Sequence, residues 1–136
     1  VKKLNWVPDI IHVHGWMASL LPVYLKHYYK DEGIFEDTKI ITSVYASDFD
    51  GTLDTELITK LAFDNLPQDA ISKYKEPVFT NLMKATIDHS DAIIMASENL
   101  TSDLTKYIET SKKPFLPFAS KDKFAEAYTT FYKKML

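Results

Sequence analysis

Pro8-Asp9-Ile10-Ile11-His12-Val13-His14-Gly15-Trp16 decides how the chain is read. Pro8-Asp9 breaks the opening segment. Residues 10–14 form a short buried strand, and Gly15 closes it. Trp16 then opens a helical stretch that runs to about residue 30. Within it Leu20, Leu21, Tyr24, Leu25 and Tyr28 recur at spacings of three and four, which predicts one apolar stripe. Pro22 falls in the first two turns, where a helix tolerates it. A strand that passes through a glycine into a helix is the start of a strand-helix-strand unit.

Working outward, the same alternation continues. Residues 38–45, Thr-Lys-Ile-Ile-Thr-Ser-Val-Tyr, read as the next strand. A polar loop follows over 46–54, around Gly51. A short helix is predicted over 56–63 and a further turn over 69–74. Pro77 opens a longer helix to about His89, with Phe79, Leu82, Met83 and Ile87 on one side. Ala92-Ile93-Ile94-Met95-Ala96 is a continuous apolar strand, the kind covered on both faces of a parallel sheet. Ser97 is placed to cap a helix that ends near Thr110. Phe115-Leu116-Pro117-Phe118 is a last short strand. Ser120 is placed to cap a terminal helix that buries Phe124, Ala127, Tyr128 and Phe131. Four strands separated by helices predict an α/β fold: a three-layer, Rossmann-like domain with a short parallel sheet and right-handed crossovers. Residues 1–136 make one such domain. Its bare leading edge suggests that it is incomplete on the amino-terminal side. Val1 begins the chain with neither an initiator Met nor a signal-peptide pattern, and Lys2-Lys3-Leu4-Asn5-Trp6 reads as the end of a helix. An excised domain is therefore expected.

Composition narrows the function. A length of 136 residues holds one domain with a real core, but not two. A net charge of −3 argues against nucleic acid or an anionic membrane as partner. The sequence has no cysteine, which excludes disulfides and thiolate metal sites and fits a cytoplasmic setting. No apolar run approaches the roughly 18 residues of a membrane span.

Three sites are candidates for chemistry. The first is His12-Val13-His14-Gly15-Trp16, at the carboxyl end of a strand, where open α/β sheets bind ligands. A helix amino terminus there would offer N–H groups and a positive dipole end to phosphate or sugar oxygens. Trp16 can stack on a sugar ring or simply pack. Two alternate histidines can equally serve packing and hydrogen bonding alone. A metal reading is weaker, because no further ligand has convincing spacing. The second candidate is Asp48-Phe49-Asp50-Gly51-Thr52-Leu53. It resembles the first motif of haloacid-dehalogenase-like phosphatases, with one carboxylate as nucleophile and the other as acid/base. Its context departs from that family: Ala46-Ser47 separates it from the strand, another strand-helix unit precedes it, and no later acidic pair follows. A plain glycine-centred loop is the expected reading. The third is Ser97-Glu98-Asn99-Leu100, at the next strand-to-helix junction, which also reads as an ordinary cap.

The stretch from Pro8-Asp9 through Trp16-Met17-Ala18-Ser19-Leu20-Leu21-Pro22-Val23-Tyr24-Leu25-Lys26 resembles the glycogen/starch synthase family, glycosyltransferase family 5. Ser90-Asp91-Ala92-Ile93-Ile94-Met95-Ala96-Ser97 is similar to a second segment of that family. The resemblance covers roughly residues 5–110. It implies half of a two-domain glycosyltransferase architecture with a missing second domain, and ADP-glucose and an α-1,4-glucan as partners. No cofactor and no metal are expected. Substrate binding would fall to His12, His14, Trp16 and Ser97, while the catalytic residues stay unassigned. The departures are specific. The family usually has Asp at Gly15, and its next strand ends in Thr-x-His-Asn where this chain has Thr42-Ser43-Val44-Tyr45. The chain by itself is therefore expected to be inactive. A non-catalytic relative that binds glucan or a synthase is the alternative.

Overall fold

The computed structural model describes residues 6–47 and 49–136. Residues 2–5 of the expected helix end, and Asp48 of the phosphatase-like motif, lie outside the described residues. Four strands form one sheet: β1 (Ile10–His14), β2 (Lys39–Val44), β3 (Ala92–Met95) and β4 (Phe115–Leu116). All pairings are parallel, and the strands lie side by side in chain order. The α/β fold with a short parallel sheet is as predicted. β1, β2 and β3 are the segments expected to form parallel strands.

Chain order in the sheet has a consequence for the layers. When successive right-handed crossovers step in one direction, they all fall on the same face. Here α1 (Leu21–Val23), α4 (Phe79–Asp88) and α5 (Ser102–Thr110) cover that face. Strand alternation sends Val13, Ile40, Val44 and Ile93 towards them, where Leu25, Phe79, Met83, Ile87, Leu104 and Ile108 complete the core. Two further helices, α2 (Leu57–Phe63) and α3 (Gln68–Ile71), pack behind α1 and α4 through Leu61 and Ile71, joined by Tyr74 from the 3₁₀ turn (Ser72–Lys75) that follows α3. The opposite face carries Ile41, Ala92 and Ile94, and α6 (Phe124–Met135) covers it with Phe131. Full burial of an aromatic side chain of that size stabilises by roughly 2–3 kcal/mol.

Several local expectations are corrected. The stretch after Gly15 is not one regular helix. It passes from a 3₁₀ turn (Trp16–Ala18) to α1 and then to a π turn (Tyr24–Tyr28), closed by Tyr29 N–H donating to Tyr24 O at 3.0 Å. Changing the residues per turn rotates the faces. Pro22, Val23 and Leu25 are therefore buried, while Leu21 and Tyr28 are 41% and 52% exposed. Ser97 does not cap α5. That helix begins five residues later, and Thr101 Oγ1 accepts from Leu104 N–H. Ser120 does not cap α6 with its hydroxyl: its backbone carbonyl accepts from Lys123 and Phe124 in a turn that precedes the helix. Phe124 is 47% exposed rather than buried, its ring set against Tyr128.

Candidate functional site

His12 and His14 alternate along β1, so both face the α6 side of the sheet. The parallel register sets His12 opposite Ile41 and His14 opposite Ser43. Each ring reaches a hydroxyl two residues further along β2 and its continuation. His12 Nε2 meets Ser43 Oγ at 2.8 Å, and His14 Nδ1 meets the Tyr45 hydroxyl at 2.9 Å. The two imidazoles lie 4.0 Å apart between centroids. The result is two rungs of the same construction, one behind the other.

The first rung is closed. His12 Nδ1 meets the Tyr132 hydroxyl of α6 at 2.6 Å, so both ring nitrogens are engaged. Burial, and then the neighbouring His14, lower the His12 pKa from 6.5 to about 4. The ring is neutral at pH 7, with one nitrogen donating and the other accepting, and hydroxyl partners can serve either role. His12 thus fastens β1, β2 and α6 together.

The second rung is open. His14 is exposed and borders a cavity of ≈ 310 Å³ lined by His14, Gly15, Trp16, Met17, Tyr45 and Ser47. The cavity lies at the carboxyl ends of β1 and β2, the edge at which parallel sheets bind ligands. Gly15 makes the turn there with φ 66° and ψ −175°, a conformation essentially reserved for glycine. Its N–H donates to Ser43 O at 3.1 Å. That turn swings Trp16 against Phe49, 4.8 Å between centroids, and Phe49 in turn meets Phe79 edge-on at 6.1 Å. Trp16 is half-buried and held, while Met17 beside it is 80% exposed. No charged side chain is among the described residues that line the cavity.

Of the four residues expected to bind substrate, the structure brings His14 and Trp16 to one cavity. His12 lies beneath α6. Ser97 Oγ accepts from Ala46 N–H at 3.0 Å, which ties the loop after β3 to the loop after β2. Neither residue lines the cavity. The expected helix amino termini are also absent at this edge. The turn at Trp16 is three residues long, and Glu98 lies in no helix. Tyr45 escaped the sequence reading as a site residue. Its signal was its parity with Ile41 and Ser43, which puts it on the same face one step past the strand.

The described part of the Asp-Gly-Thr loop is tied to the domain by packing and backbone contacts. Phe49 anchors it in the core, Thr52 pairs antiparallel with Val78, and Leu53 N–H donates to Pro77 O at 3.0 Å. Among the described residues no group of three or more His, Asp or Glu side chains is placed to hold a metal ion. No helix of the described residues is long and apolar enough to cross a membrane.

A four-stranded parallel sheet with helices on both faces defines a Rossmann-like α/β domain. The chain belongs to the starch synthase catalytic domain family, whose model matches residues 1–112. It is similar to the glycogen synthase of Chlorobium limicola, 33% identical over 98 residues, covering 71% of this chain and 19% of the relative. The glycogen synthase of Thermotoga petrophila is 31% identical over 109 residues, covering 76% of this chain and 21% of the relative. That of Chlorobium phaeovibrioides is 29% identical over 106 residues, covering 77% and 21%. The chain thus spans about a fifth of the length of these curated relatives. No solved structure gives a significant match. The match ends before β4 and α6.

Proposed function

We propose that this chain is part of a glycogen/starch synthase-like glucosyltransferase, acting from ADP-glucose onto an α-1,4-glucan in the cytoplasm, and that its carboxyl-edge cavity receives the glucan. The observation that carries the choice of glucan over nucleotide is the lining. Trp16 and Tyr45 offer aromatic surface, His14 and Ser47 offer hydrogen bonds, and no Lys, Arg, Asp or Glu is among the described lining residues. A neutral sugar suits such a cavity. A diphosphate calls for cations or a helix amino terminus, and the described lining has neither. Most of the nucleotide would be held by parts of the enzyme outside this stretch. His14 and Trp16 touch the sugar in this reading, while His12 and Ser97 hold the strands and loops that carry them.

Glucan extension by this chain alone is not expected, because one sheet supplies only one side of a two-domain cleft. A non-catalytic glucan-binding relative is the second reading. Val44-Tyr45 favours it, since the resemblance leads one to expect a histidine at the end of β2.

Tryptophan emission tests the site, because the chain has only Trp6 and Trp16. Maltoheptaose should change the emission saturably, and Trp16→Phe should abolish the change although Trp6 remains. An unchanged response in that variant would refute the cavity as the site. Labelled ADP-glucose should give no extended glucan with this chain, and measurable extension would refute the need for further parts.

A further inference from the structure

We infer that Tyr45 is a positioning residue that sets His14 as an Nε2–H donor facing the cavity. The tautomer follows from the contact together with the phenol acting as its donor, whereas what the donor meets rests on the glucan reading above. The two rungs give the comparison. In the first, Ser43 and Tyr132 take both nitrogens of His12, and nothing is left to present. In the second, Tyr45 takes Nδ1 of His14 at 2.9 Å, and no partner holds Nε2 among the described residues. The Tyr45 hydroxyl and His14 Nδ1 share one hydrogen bond, and because the phenol is the stronger acid and the imidazole nitrogen the stronger base, the phenol is assigned as the donor. A neutral imidazole carries its proton on one nitrogen only. With the phenol donating to Nδ1, that proton sits on Nε2. The donor then stands at the wall of the ≈ 310 Å³ cavity, beside Trp16.

The phenol is itself held in place. Tyr45 is half-buried, and its ring lies beside the Gly15 turn, where an added Cβ would be in ordinary contact with Tyr45 Cδ2 at 3.8 Å. The turn at Gly15 thus has the Tyr45 ring beside it and leads directly into Trp16 at the same cavity. A sugar has oxygens that accept a hydrogen bond all around the ring, so a fixed N–H donor orients it, while the Trp16 face excludes water on one side. Tyr45→Phe keeps the ring and deletes only the hydroxyl. Nδ1 of His14 would then be free to hold the proton, and both tautomers would be populated.

The experiment is long-range ¹⁵N–¹H correlation of the histidine rings at pH 8.5, well above the ordinary histidine range. Wild type and Tyr45→Phe are compared with and without maltoheptaose. The wild-type His14 should show the Nε2–H pattern. The variant should show a mixture, with the His12 pattern unchanged as a sign that the fold is intact. Maltoheptaose affinity should fall about fivefold, the scale of one hydrogen bond. An Nδ1–H pattern for wild-type His14, or a variant with the wild-type pattern, would overturn the inference. A shifted tautomer with unchanged maltoheptaose affinity would overturn its role towards the sugar. A shifted tautomer in a chain that binds no maltoheptaose would support the positioning and sink the glucan reading instead.

Discussion

His12 and His14 sit two residues apart on one strand face, yet their partners separate their roles. The hydroxyl of Tyr132 closes the first ring and leaves the second open. The pH response of the fold should come from the closed one. His12 has its pKa lowered to about 4 in the folded chain against 6.5 when free, chiefly by burial. The folded state therefore binds fewer protons than the unfolded state between these values. Stability is full above about pH 6.5, falls as pH drops towards 4, and changes no further below that from this group. A pKa unit is worth about 1.4 kcal/mol, and the ring keeps some contact with water, so a loss of about 1–2 kcal/mol is expected. His27 and His89 are also lowered, mainly by burial, and act in the same direction. Thermal melting at pH 7 and pH 5 should show a clear drop in Tm for wild type and a smaller one for His12→Gln. Equal drops would assign the effect to the other two rings.

At the scale of elements, what could be read from the sequence depended on how local its cause is. β3 and α4 were legible because a continuous apolar run and a spacing of three and four are written into neighbouring residues. The shared face of His12 and His14 was legible from alternation. What each ring does was not, because Tyr132 lies 120 positions from His12 and Tyr45 lies 31 from His14. The first helical stretch was misread because a π turn changes its period midway, and no residue type announces that change. The caps were misread because Ser97 and Thr101 both suit the role by type, and tertiary contacts decide between them. Ser97 is drawn to Ala46 N–H, and Thr101 is left at the start of α5. Thr101→Ala should therefore cost about 1 kcal/mol through loss of the α5 cap. Ser97→Ala should leave α5 intact and loosen the loops after β2 and β3. Amide hydrogen exchange separates the two: protection lost at Leu104 in the first variant and at Ala46 in the second. Loss at Leu104 on removing the Ser97 hydroxyl would contradict the assignment.

At the scale of the molecule, one sheet has two unlike faces. The crossovers crowd one face with three helices and a second row behind them. Among the described residues α6 covers the other, and it lies beyond the stretch that matches the family model. Its tyrosines seal the first histidine rung, and the second rung opens at the carboxyl edge. The proposed binding lies at one edge of the sheet, and the opposite edge serves as the control. Chemical-shift mapping of the amide signals with maltoheptaose tests this most directly. Shifts should cluster at residues 14–17 and 45–47, with weaker and more scattered changes when ADP-glucose replaces the glucan. Shifts confined to the amino-terminal edge of the strands, around Asp9, Lys39 and Asp91, would contradict the account.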